Sequence, residues 1–215
     1  SYRLSLGYNN ERGILITDKD SYKRISASSY ISADITDWLT QAVDIRYAKS
    51  TKSMPNEVSG SLYGMRLCSL TPEGDLTLDD GTTLPMNTPK NMLLYSAPSI
   101  TLNENPRILS RTTIKPFKGL EAVVEYTFDK KIYDLKAYNS PYDFTSIQLG
   151  KSASASTSKY ENTKSSTDYN ALNAYATYSL DLNEDNHFKF MAGYNQESSM
   201  FEQLYVTRLD MINQE

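Results

Sequence analysis

The stretch Leu120-Glu121-Ala122-Val123-Val124-Glu125-Tyr126-Thr127-Phe128-Asp129 alternates apolar and polar side chains. Leu120, Ala122, Val124, Tyr126 and Phe128 point one way; Glu121, Glu125, Thr127 and Asp129 point the other. Side chains in a strand alternate with period two, so one face is greasy and the other charged. The stretch begins straight after a tight polar turn, Pro116-Phe117-Lys118-Gly119. Two more such turns, Thr36-Asp37-Trp38 and Asn183-Glu184-Asp185-Asn186, also join alternating stretches. Long alternating strands with short turns at one end and long loops at the other predict an all-β fold. The expected architecture is an antiparallel, up-and-down segment of a transmembrane β-barrel.

Working outward, strands are expected at Tyr2 to Asn9, Tyr22 to Ile35, Leu39 to Lys49, Ile108 to Lys115, Leu120 to Tyr138, Tyr169 to Leu182 and His187 to Gln196. Tyr2, Leu4, Leu6 and Tyr8 share a face, as do Ile25, Ala27, Ile31, Ala33 and Ile35. Gln41 interrupts the alternation of the third strand. Residues 50–106 are rich in Pro and Gly and read as a long loop, with a short helix at Glu57 to Leu70 and a small hairpin around Asp80-Gly81. Residues 139–167 read as a second long loop, Ser/Thr/Lys-rich from Lys151 to Ser166, and Met200 to Glu215 as the start of another. Roughly seven strands emerge, whereas single-chain bacterial barrels use even numbers. The whole of residues 1–215 is therefore expected to be one arc of a larger wall. The chain opens on Ser1-Tyr2 without a signal-like segment, and both ends read as cut from something longer.

Composition narrows the class. A net charge of −4 gives no electrostatic support to a nucleic-acid partner. No run of about 20 apolar residues exists, which excludes a helical membrane protein but not a barrel, whose lumen positions keep the average polar. Tyrosine, with 17 residues against 6 Phe and 1 Trp, suits half-wet positions such as membrane interfaces and sugar-binding surfaces. Cys68 is the only cysteine, so no intramolecular disulfide forms.

Candidate chemistry is sparse. Glu121 and Glu125 lie four apart on one side of a strand, about 13 Å, too far for a glycosidase pair. They read as lumen-wall carboxylates or ligand contacts. Asp44 and Arg46 share a face and suit a wall ion pair or a ligand contact. Tyr142, Phe144 and Tyr160, in or near the second loop, are candidates for stacking on a sugar. Trp38, beside a short turn, suits the bilayer interface. His187 lacks a second His or Cys for a metal, and the Asp75, Asp79, Asp80 and Gly81 group reads as a polar turn, not a Ca²⁺ loop. No metal, cofactor or catalytic residue is expected, and the protein does not read as an enzyme.

Several segments together resemble a known family. Tyr2-Arg3-Leu4-Ser5-Leu6-Gly7-Tyr8 with Glu11-Arg12-Gly13-Ile14-Leu15 is similar to the barrel segment of SusC-like TonB-dependent transporters. Ile35-Thr36-Asp37-Trp38-Leu39, Lys118-Gly119-Leu120, Phe190-Met191-Ala192-Gly193-Tyr194-Asn195-Gln196-Glu197 and Arg208-Leu209-Asp210-Met211-Ile212-Asn213 resemble it too. Residues 58–103 match no pattern of the family. The resemblance implies an outer-membrane barrel of about 22 strands with a plug. It also implies import of a glycan, oligosaccharide or peptide nutrient with a SusD-like surface lipoprotein. The plug and the TonB-contacting segment lie outside this sequence. The remaining barrel, the plug, TonB and the lipid bilayer are the other partners implied. A soluble all-β carbohydrate-binding module is the alternative; it requires the Leu120 to Phe128 face to be buried under a second sheet.

Overall fold

The computed structural model describes residues 1–56, 75–86, 88–146, 151–154, 158–183 and 186–209. The described chain is β1 (Tyr2–Arg12), β2 (Ser21–Thr36), β3 (Leu39–Pro55), β4 (Asp75–Thr77), β5 (Thr83–Pro85), α1 (Pro89–Tyr95), β6 (Pro98–Ile114), β7 (Leu120–Asn139), β8 (Asp143–Ser146), β9 (Lys151–Ser154), β10 (Lys159–Asn183) and β11 (Asn186–Leu209). Seven strands form one antiparallel meander in the order β1-β2-β3-β6-β7-β10-β11. Each long strand pairs with the next long strand in the chain, and β1 and β11 are open edges, so the described sheet does not close.

Four strands outrun their sequence expectation. β6 begins at Pro98 and β3 continues to Pro55, so both reach into the expected loop at 50–106. β10 begins at Lys159, inside the Ser/Thr/Lys-rich segment, and β11 runs on to Leu209. Beyond the apolar stretches these strands lack period-two alternation: residues 159–168 are mostly polar, and β11 scatters Met200, Phe201, Leu204, Tyr205, Val206 and Leu209 over both faces. Cross-strand pairing extends them instead: Lys49 faces Glu104, Lys130 faces Asp168 and Asp134 faces Lys164. The corresponding N–O distances are 2.8, 2.9 and 3.9 Å. Such pairs contribute about 0.2–1 kcal/mol each. The short helix expected at Glu57 to Leu70, Cys68 and the terminal Asp210-Met211-Ile212-Asn213 lie outside the described residues.

The register sorts side chains into two unlike faces. Moving across the sheet, Leu4, Ser29, Ile45, Ile108, Phe128, Asn170 and Ser198 are on one face; Arg46, Arg107, Asp129 and Tyr169 are on the other. On the first face a dense apolar stretch lies in the half nearest the short turns, and β11 also exposes Met200, Leu204 and Val206 beyond it. Tyr2 to Tyr8 on β1, Ile25 to Ile35 on β2, Leu39 to Tyr47 on β3, Leu120 to Phe128 on β7, Leu172 to Leu182 on β10 and Phe188 to Tyr194 on β11 supply it. This band is open to solvent: Leu6 is 77% exposed, Ile35 60% and Phe190 59%. The opposite face is mostly polar and more crowded. Ala42, Val123 and Ala171, buried within the sheet, all lie on it.

Gln41, which broke the alternation, sits within the apolar band and is satisfied there. Its Nε2 donates to Ser110 Oγ at 2.9 Å, and its Oε1 accepts from Thr112 Oγ1 at 2.6 Å. A polar trio on a greasy face is tolerable only when its groups pair with one another.

The turns have clear local causes. Gly119 has φ +93°, and a Cβ there would lie 2.5 Å from the Ser179 carbonyl oxygen. Ser179 N donates to Gly119 O at 2.8 Å, so the glycine lets β10 pair right up to the turn. At the opposite end a small capping layer covers the strand ends. β4 and β5 form the expected hairpin around Gly81, φ +85°. Helix α1 starts at Pro89, with Thr88 Oγ1 accepting from Asn91 N at 3.2 Å. Lys19, from the β1–β2 loop, donates to Leu94 O and Ser96 O at 2.7 Å each, capping the helix C-terminus with a cation. Met86, Leu93 and Ala97 are buried beneath, and Met86 bridges to Thr145 of β8.

Candidate functional site: the polar face and its rim

The polar face carries most of the charged residues singled out from the sequence. Asp44 and Arg46, both on β3, form a two-point pair: Arg46 Nε reaches Asp44 Oδ1 at 2.9 Å and its terminal nitrogen reaches Oδ2 at 2.8 Å. Next-nearest residues on one strand face the same side, which lets the guanidinium fold back along the strand. Glu125 pairs with Arg111 of β6 at 3.2 Å, and Arg111 also donates to Tyr175 OH at 3.1 Å. Glu121 pairs with Lys115 at 3.1 Å, next to the Gly119 turn. The structure thus sets Asp44, Arg46, Glu121 and Glu125 on one face but in separate pairs, Asp44 with Arg46 within β3, Glu125 with Arg111 and Glu121 with Lys115. They do not converge on a single point.

The aromatic candidates separate. Tyr142 and Phe144 lie in the capping layer. Tyr142 stacks on Tyr95 of α1 at 5.3 Å between centroids, and Phe144 follows at 5.8 Å. Tyr160 is not in a loop. It belongs to β10, opposite Tyr138, with ring centroids 4.9 Å apart, on the face that bears the apolar band. It therefore shares no face with Arg46 or Glu125. Burial pushes its phenol up from the ordinary value, as does the neighbouring Tyr138. Trp38 sits at the β2–β3 turn, 48% exposed, its carbonyl accepting from Lys115 N at 2.7 Å.

Near the capped end, Glu161 of β10 accepts from Lys159 at 2.6 Å and from Tyr205 OH at 2.5 Å. The Lys159 bond, then the Tyr205 bond, hold its carboxyl below the usual carboxylate range. Asp80 is also held low, by the backbone of Thr82 closing the β4–β5 turn, so Asp80 acts there as a turn residue. His187 faces Asp181 across the β10–β11 turn at 2.7 Å.

Residues that sequence reading passed over include Arg107, Arg111, Lys131 and Tyr175. Each falls on the polar face by strand parity once the β3–β6 and β6–β7 registers are known. Arg107 and Asp129 are directly opposite each other, and Asp129 Oδ1 accepts from Asn105 Nδ2 at 2.8 Å. Arg107, Thr127, Asp129, Lys131, Thr167, Tyr169 and Ser199 line a groove of about 360 Å³.

Fold and face together define an all-β, antiparallel meander sheet with one banded apolar face and one polar face. No protein-family model matches the chain, and no curated protein sequence matches it. Among the described residues, no helix is long and apolar enough to cross a membrane.

Proposed function

We propose that this chain is an arc of wall from an outer-membrane β-barrel transporter of the plugged, TonB-dependent, SusC-like kind. The observation that carries the reading is the shape of the apolar surface. It is concentrated on one face and, on β2, β3, β7 and β10, in the short-turn half of the strands; β11 stays apolar further out and exposes Phe201, Tyr205 and Leu209 on the other face. It runs roughly nine to eleven residues along β2, β3, β7 and β10, the length a tilted strand needs to cross a bilayer. Beyond it the same face changes to cross-strand ion pairs, as a wall does on leaving lipid. The polar face is the lumen side, and the crowding of Ala42, Val123 and Ala171 on it fits an inner surface. The edges of β1 and β11 pair with the rest of the barrel, because an open sheet edge is not tolerated in hydrocarbon.

In this reading the short turns face the periplasm and the capping layer faces outward. Trp38 lies at the inner interface. A glycan or peptide nutrient enters between the capping layer, the lumen face and a SusD-like lipoprotein. TonB, pulling on a plug carried elsewhere, opens the path. The wall residues do no covalent chemistry; they bind, orient and pass the ligand on.

A soluble sandwich requires a second sheet over the Leu120 to Phe128 face. Among the described residues, no sheet covers it. The test is fractionation with surface proteolysis. The intact protein is expected in outer-membrane fractions, with cuts in residues 75–97 of whole cells and none at Pro116 to Gly119. Recovery as a detergent-free, monodisperse monomer, or the reverse cleavage pattern, overturns the proposal.

A further inference from the structure

One transverse row of the polar face sets Arg46 directly opposite Arg107, followed by Asp129 and Tyr169. Like charges directly opposite each other destabilise a sheet, so the surroundings of the two arginines matter. Arg46 is neutralised within its own strand by the two-point bond to Asp44. Arg107 is not. Among the described residues, no carboxylate lies within 4 Å of its guanidinium. Asp129, its facing neighbour, is engaged by Asn105.

Arg107 opens into the 360 Å³ groove, where the second cation is Lys131. That size falls in the ~300–1,000 Å³ range of small-ligand pockets. The rest of the lining is rich in hydroxyls, from Thr127, Thr167, Tyr169 and Ser199. Two cations and Asp129 line the groove, and Glu197 accepts from Tyr169 at its rim, so the charges balance, yet among the described residues neither Arg107 nor Lys131 is in an ion pair.

We infer that this groove binds one uronate unit of an acidic saccharide. The planar fork of Arg107 donates to the carboxylate at two points, and Lys131 supplies a second charge. Asp129 and the flanking hydroxyls exchange hydrogen bonds with the ring hydroxyls. An acidic peptide satisfies the cations equally well but offers fewer hydroxyl partners to the strands on either side. The inference rests on the reading of this face as the lumen of a transporter, and it narrows the cargo to a carboxylate-bearing glycan.

The experiment is calorimetric titration of the intact protein in detergent micelles with trigalacturonate, its methyl ester and triglutamate. Trigalacturonate is expected to bind at least tenfold more tightly than either of the others. R107Q removes a charged hydrogen bond, about 1.5–3 kcal/mol, so it lowers that affinity by roughly 10- to 150-fold. Methyl-ester binding stays within a few-fold of wild type, which shows that the site is otherwise intact. K131Q makes the same test should R107Q fail to fold. Equal binding of acid and ester, equal binding of triglutamate, or an unaffected R107Q (or K131Q) protein overturns the inference. Fractionation into the outer membrane is scored separately, so a wrong cargo and a wrong location give different results.

Discussion

Ala174 and Asn173 are adjacent on β10 but lie on opposite faces, and this makes a sharp test of which face meets lipid. Ala174 sits inside the apolar band, opposite Val124 on one side and Tyr194 on the other. The band runs on this strand from Leu172 to Leu182 and on its neighbour from Phe128 to Leu120, so residue 174 is well inside it. Asn173 faces Glu125 and Asn195, the latter through a hydrogen bond. An arginine at mid-depth on the lipid face of a barrel costs about 2–4 kcal/mol. A174R therefore lowers the folding equilibrium constant by roughly 30- to 900-fold. N173R places its cation opposite Glu125 and loses one exposed amide bond, a change of about 1 kcal/mol or less. The assay is reversible urea unfolding of the intact protein in phospholipid vesicles, followed by tryptophan fluorescence and by heat-modifiable gel mobility. If the sheet lay exposed in water, A174R would stay within about 0.5 kcal/mol of wild type. Equal losses in the two variants, or a larger loss in N173R, refute the assignment of faces.

Other consequences follow from single sites. Q41L leaves the Ser110 and Thr112 hydroxyls without their partner on the apolar face, and costs about 1–3 kcal/mol in the same unfolding assay. Adding S110A and T112V to Q41L recovers most of that loss. G119A combines a positive φ with a Cβ 2.5 Å from the Ser179 carbonyl, and is expected to destabilise by about 1–3 kcal/mol. Glu161 has its folded-state pKa depressed below 4.5, so its contribution is complete above that value and is lost as pH falls through the folded pKa. Hydrogen exchange of the β10–β11 ends should therefore accelerate below pH 4.5, and Y205F should weaken that dependence. K19M removes the bonds to Leu94 and Ser96, and faster exchange in residues 13–20 and 89–97, with the strands unchanged, is the expected readout.

The apolar halves of the strands were legible because period-two patterning is local. Leu120 to Phe128 needs no partner to declare its face, and Gly119 and Asp80-Gly81 declare their turns through backbone conformation alone. The outer halves were not legible. Residues 159–168 are mostly polar, 98–106 carry Ile100 and Leu102 between prolines, and 200–209 scatter apolar side chains over both faces, so only the ladder with a neighbour makes them strand. The same limit applied to the site. Asp44 and Arg46 were recognisable as a pair because they are two apart on one strand. Arg111 with Glu125, and Arg107 opposite Arg46, exist only through register. Tyr160, in or near the second loop by sequence, belongs to β10 and to the apolar-band face because β10 begins at Lys159. Sequence by itself determined that the chain is alternating β, two-faced and apolar on one side, since side-chain parity is fixed by the backbone of each strand. Only the tertiary structure decided how far the strands reach, that the greasy residues of separate strands align into one band, and which charges meet across it. Those outcomes depend on inter-strand register, which residues far apart in the chain set together.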